Sequence, residues 1–148
     1  MAAGGAILAV VVLLASLPSR KDSEASSVSS GATAAPIAER VEIVHFHAAT
    51  QCWSCKTVGE LALKTIRERF PEEYATGTLV FRDINGSDPA NAAIIRKFGA
   101  TSSSLFINAV VDGRENISED ATVWRLVSNE EAFISHLEDR ISRHLRGK

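Results

Sequence analysis

The chain has almost no cysteine: two in 148 residues, alongside one methionine, one tyrosine and four prolines. Cysteines separated by only two residues cannot staple a fold, because the loop they close is too short to restrain much of the unfolded chain. A disulfide scaffold is therefore excluded. Charge of one sign is lacking as well. The formal net charge is −2 at pH 7, the 16 Lys and Arg are scattered, and aromatics make up 6%. There is thus neither a basic footprint nor an acidic tail, and nucleic acid is excluded as a partner. No internal repeat is visible, and residues 41–148 are ample for one hydrophobic core.

The N-terminus lacks charge altogether. From Met1 to Ser19 no side chain is ionisable, and Ala6 to Ala15 is strongly apolar. About 20 apolar residues cross a bilayer, so this run reads as a signal peptide or a short membrane anchor. No Lys or Arg precedes it, whereas Arg20 and Lys21 follow it at once. That is the flank which the positive-inside bias places in the cytoplasm. Cysteine pairs of this spacing, on the other hand, are common in exported redox modules. Ala32-Thr33-Ala34 has the residues of a cleavage site but lies far from the apolar run. The balance favours an uncleaved anchor with the domain outside the cytoplasm. Residues 20–40 read as a flexible tether: Ser23 to Pro36 is mostly Ser, Ala, Gly and Thr with Glu24 as its one charge, a composition that cannot bury enough apolar surface to fold.

What is present begins with the two cysteines, in Cys52-Trp53-Ser54-Cys55. The strand-like Val41 to His47 runs into them, and a helix predicted over Cys52 to Phe70 follows, with Val58, Leu61, Ala62, Thr65 and Ile66 on one face. Glu60 and Lys64 are spaced to pair, and Pro71 is expected to stop the helix. Thr78 to Ile84 is the next strand. Asp88 as N-cap and Pro89 at the first helical position open a second helix that closes at Gly99. Ser103 to Val111 is a third strand, and Asp112-Gly113 a hairpin turn into a short fourth one from Arg114 to Ile117. Thr122 to Val127 suits a helical turn or a strand. Ser128 and Glu131 stand in capping-box spacing before a last helix whose buried stripe is Phe133, Leu137, Ile141 and Leu145.

The order β-α-β-α-β-β-α predicts an α/β fold, a mixed sheet of about four strands covered by helices on both faces. A dithiol at a helix start meets unpaired amides and a partial positive charge that favour the thiolate of its first cysteine. Helix-start cysteines have pKa values of roughly 3.5 to 7.5. Cys52 is thus the expected attacking thiol and Cys55 the resolving one, the pair exchanging with thiols and disulfides of partner proteins and needing no further cofactor. His45 and His47 are two apart on a strand and point to one face, where one of them can take the proton from Cys55 or simply be hydrogen-bonded in the core. With Cys52 and Cys55 they also make up the ligand set of a zinc or copper site, an alternative in which the same residues bind or transfer metal. Trp53 is either an exposed docking surface beside the thiols or a ring packed on the fold. Lys56 reads as a solvated helix residue, Trp124 as core, and His136 and His144 as boundary residues of the last helix.

From Val41 to Leu145 the chain resembles a thioredoxin-fold protein. His45-Phe46-His47 followed by Gln51-Cys52-Trp53-Ser54-Cys55-Lys56 is more similar to the ArsF-type thioredoxin-like group than to thioredoxin itself. The resemblance implies a thiol redox protein, and three departures qualify it. Trp53-Ser54 replaces the Gly-Pro of thioredoxin, so the redox potential does not carry over. The proline that thioredoxins hold in cis beside the dithiol falls near Ser103 or Ser104, which are thereby placed at the substrate groove together with Trp53. Its absence opens space beside the sulfurs and favours soft or borderline metals. The buried acid that aids proton transfer to the second cysteine is replaced by His45. Three readings follow: a membrane-tethered thiol-disulfide oxidoreductase, a metal module, and a thioredoxin-fold subunit of a larger membrane complex.

Overall fold

β1 (Arg40–His47) is buried along six of its eight residues, as a central strand covered on both faces must be. The computed structural model describes residues 36–147. The expected anchor at Met1–Ser19, nearly all of the expected tether and Lys148 lie outside them. β1 pairs parallel with β2 (Leu79–Asn85) and antiparallel with β3 (Ser104–Val111), which pairs antiparallel with β4 (Arg114–Glu119). The sheet order is β2-β1-β3-β4. This is the mixed four-stranded sheet flanked by helices of a thioredoxin-like α/β fold. Backbone pairing starts before Val41: Ala38 is buried, with its N–H donated to the His144 carbonyl, and Glu39 donates to Val110.

Alternation along β1 divides the core in two. Val41 and Ile43 face α1 (Trp53–Arg69) and α5 (Glu130–Arg146), meeting Val58, Leu61, Ala62 and Ile66 from the first and Phe133, Leu137 and Ile141 from the second. Val44 and Phe46 face the other way, onto Ile84, Phe106 and Phe98 of α3 (Ala92–Phe98). The Phe46, Phe98 and Phe106 rings pack with centroids 5.6–5.7 Å apart, contacts that contribute about 0.5–1.5 kcal/mol each beyond burial. Asp112 and Gly113 take φ values of 50° and 68°, the pair of positive angles that the expected hairpin turn requires.

Several local expectations are corrected. Lys64 pairs with Glu130 of α5 and, more loosely, with Glu68, not with Glu60; a partner brought in by tertiary packing outcompetes the one on its own helix. Pro71 ends α1 but also opens α2 (Pro71–Thr76), where a proline at the first position costs no hydrogen bond. A 3₁₀ turn, Pro89–Asn91, precedes α3. Thr122 to Val127 forms the short helix α4 (Val123–Leu126), and β4 runs two residues beyond Ile117. Asn129 caps α5, its side chain accepting from the Ala132 N–H at 3.1 Å, in place of Ser128. Leu145 is only partly buried against the core, and Ile134 joins the buried stripe. Trp124 likewise packs on the core without full burial. Among the described residues no helix is long and apolar enough to cross a membrane.

Candidate functional site

β1 ends at His47, and a short loop delivers Cys52 to the N-cap of α1, where its backbone is extended (φ −74°, ψ 171°) and no side chain caps the helix. The first-turn amides of α1 are thus left for the cysteine sulfur. Cys52 is exposed and Cys55, one turn in, half-buried; both are free, with Sγ atoms 2.9 Å apart. Ser54 Oγ lies 3.1 Å from Cys52 Sγ. The Cys52 pKa is lowered from 9.0 to about 7, chiefly by a hydrogen bond from the Cys55 thiol, then by the Ser54 hydroxyl and the Cys55 backbone N–H. The helix start acts here through two amides, those of Cys55 and Ser54, with side-chain donors contributing more; the role of Ser54 is not apparent from the sequence pattern. The alkylation rate of Cys52 in the reduced chain should therefore rise through a midpoint near pH 7 and be lost below it, since only the thiolate reacts. Peptide mapping after timed iodoacetamide exposure measures this, and a midpoint near 9.0 would contradict it.

Trp53 is 64% exposed beside the sulfurs, which settles its position as a surface ring. Ser103 Oγ stands 3.6 Å from Cys55 Sγ, where the resemblance to thioredoxin places the missing proline. Ser104, expected beside it, turns away: its hydroxyl is buried and donates to the Ser102 carbonyl at 3.0 Å. Next to Ser103 a cavity of about 330 Å³ opens between His47, Ala48, Ile95 and Ser102. Lys56 is exposed on α1.

Beneath α1 lies His45, 1% exposed. Its Nδ1 bonds Asp83 Oδ1 at 2.8 Å across the β1–β2 pair, in which the two residues are register partners. Its Nε2 is buried without a partner. Burial, outweighing the Asp83 carboxylate, pushes the imidazole pKa below 6.5, so that the ring is neutral at neutral pH. A buried, unsatisfied nitrogen costs about 1–3 kcal/mol and asks for a reason. His47 shares the face as expected, with ring centroids 5.6 Å apart; its Nδ1–H donates to the Ala48 carbonyl at 2.8 Å, and its Nε2 stands 3.5 Å from Asp83 Oδ1.

Space for His45 comes from Gly59. A Cβ at that position would sit 2.7 Å from Nδ1 and 3.0 Å from Cε1. Neither Gly59 nor Asp83 stands out in the linear pattern, although a glycine inside a helix, which costs about 1 kcal/mol against alanine, marks a close approach. The four proposed metal ligands are not gathered into one site. Among the described residues no three His, Cys, Asp or Glu side chains converge to hold an ion, and both histidines are turned toward Asp83. His136 stays at the boundary as expected, its Nε2 2.8 Å from the buried Asp120. His144 is partly buried, which lowers its pKa.

No family model and no curated protein matches the chain. Among solved structures it is similar to a thioredoxin from Fasciola hepatica, with 19% identity and a TM-score of 0.43, over 72% of this chain and 83% of that one. The strand order and the helix crossovers, not that likeness, carry the thioredoxin-like assignment.

Proposed function

We propose that the chain is a thiol-disulfide oxidoreductase that exchanges electrons with partner proteins through Cys52 and Cys55. One observation carries this reading: the exposed thiol with a pKa lowered to about 7 lies 2.9 Å from a second, more sheltered thiol at the start of a helix. The Cys52 thiolate attacks one sulfur of a partner disulfide, forming a mixed disulfide and releasing the other partner sulfur as a thiolate. Cys55, deprotonated, then attacks Cys52 Sγ. The Cys52–Cys55 bond forms, the mixed disulfide breaks, and the second partner sulfur leaves as a thiolate that takes up a proton. Two electrons pass from the dithiol to the partner.

His45 serves as acceptor for the Cys55 proton, in the place of the buried acid that aids that transfer in thioredoxins. The exposed Trp53 ring and the cavity beside Ser103 flank the sulfurs and offer an extended partner segment its contacts. The uncharged stretch Met1 to Ser19 supports a further part of the reading, in which the domain is exported or held at a membrane and works outside the cytoplasm. Mild oxidation of the full chain followed by alkylation tests the redox reading. Mass spectrometry should show a loss of two hydrogens confined to the peptide that holds both cysteines. Free alkylation of both thiols after oxidation would end it.

A further inference from the structure

We propose that Asp83 is a positioning residue for the second half of the thiol exchange: it fixes His45 as the Nδ1–H tautomer, so that the buried Nε2 lone pair is left as base for Cys55. The inference deepens the oxidoreductase reading and rests on it. A carboxylate only accepts hydrogen bonds, so the proton of the 2.8 Å contact belongs to His45 Nδ1. A neutral imidazole that carries its proton on Nδ1 has its lone pair on Nε2. That atom is the one buried without a partner. The orphaned nitrogen, which a purely structural histidine would have satisfied, is what a base awaiting a proton needs. Burial supports this by keeping the ring neutral at neutral pH.

The helix places the base near its thiol. Gly59 lies directly over the ring, and Cys55 is four residues earlier on α1, on the same stripe, about 5–6 Å away between Cβ positions. Nε2 has no partner within hydrogen-bond distance, so the proton crosses that gap through one bridging water. The fold also supplies an exit. A crevice of about 190 Å³ lined by Gln51, Lys56, Glu60 and Asp83 reaches His45. The Asp83 side chain is 52% exposed while that of His45 is 1% exposed. In the step itself the Cys55 S–H proton moves to His45 Nε2, and the Cys55 thiolate forms its bond to Cys52 Sγ. The partner sulfur departs with the electron pair of the broken S–S bond. The imidazolium then returns its proton to solvent along the Asp83 crevice.

The test mixes the reduced full chain with dithiobis-nitrobenzoate in stopped flow. This aromatic disulfide releases one coloured thiolate when Cys52 attacks and a second when Cys55 displaces the other. Asp83→Asn keeps size and shape; it should leave the first, concentration-dependent phase within about twofold and slow the second, concentration-independent phase by about tenfold or more. Asp83→Glu should recover most of the second phase. Imidazole nitrogen chemical shifts of the reduced chain should report Nδ1–H for His45 in the wild type and lose that signature in Asp83→Asn and Asp83→Ala. A second phase unchanged in both Asp83→Asn and Asp83→Ala, or an Nε2–H tautomer in the wild type, would overturn the role of Asp83 while leaving the dithiol reading intact. Failure of the wild type to release the second thiolate at all would instead overturn the dithiol reading and this proposal together.

Discussion

Cys55→Ser is expected to accumulate mixed disulfides with partner proteins, whereas Cys52→Ser accumulates almost none. The asymmetry follows from the different surroundings of the two thiols. Cys52 is exposed, accepts hydrogen bonds from Cys55 and Ser54, and has its pKa drawn down to about 7. Cys55 is half-buried, with Ser103 against it. Removing the resolving thiol therefore leaves the first attack possible and its product stranded, while removing the attacking thiol abolishes the covalent route. Turnover of a disulfide substrate should fall by more than about 10³-fold in either variant, since no step replaces the missing sulfur. Only one of them should carry a trapped partner. Non-reducing gels of the two full-length variants, with mass spectrometry of the adducts, decide the matter, and equal trapping by both would reverse or remove the assignment.

Gly59→Ala should destabilise the protein although alanine is the better helix former. Exchange of Gly for Ala in a helix gains about 1 kcal/mol. Against this, the new methyl would stand 2.7 Å from His45 Nδ1, and the ring cannot yield freely because it is buried and bonded to Asp83. Overpacking costs about 1–3 kcal/mol, and disturbing a hydrogen bond to a charged group about 1.5–3 kcal/mol more. The clash wins, for a net loss of about 1.5–5 kcal/mol in urea unfolding. The same change in a His45→Ala background has no ring to meet and should be neutral or stabilising, a coupling that a double-mutant cycle isolates. Equal effects in the two backgrounds would show that Gly59 is not making room for His45.

Sequence patterning predicts the frame of this molecule well where the determinants are local. The apolar stripe of α1, the Asp88-Pro89 start and the Asp112-Gly113 turn all lie where spacing places them, because each depends on neighbours within a few residues. The dithiol is legible for the same reason. Its surroundings are less so. Asp83 meets His45 through the register of two parallel strands 38 residues apart, and no local rule sets that register. Lys64 finds Glu130 rather than Glu60 because α5 packs across α1. The choice of Asn129 over Ser128 as cap reflects where the chain leaves α4, a tertiary matter. Ser103 and Ser104 were expected at the site through likeness to thioredoxin, and only the first faces a sulfur. Its neighbour, one residue into β3, points inward as strand alternation dictates.

The central claim is that Cys52 and Cys55 form a dithiol that cycles. Its most direct measurement equilibrates the full chain across a series of dithiothreitol redox buffers, quenches with acid, alkylates, and reads the fraction of intramolecular disulfide by mass. A single two-electron transition is predicted, its oxidised-to-reduced ratio changing tenfold per about 30 mV, with the disulfide confined to Cys52 and Cys55. Two thiols that alkylate fully at every buffer ratio, or oxidation that only links one chain to another, would contradict it.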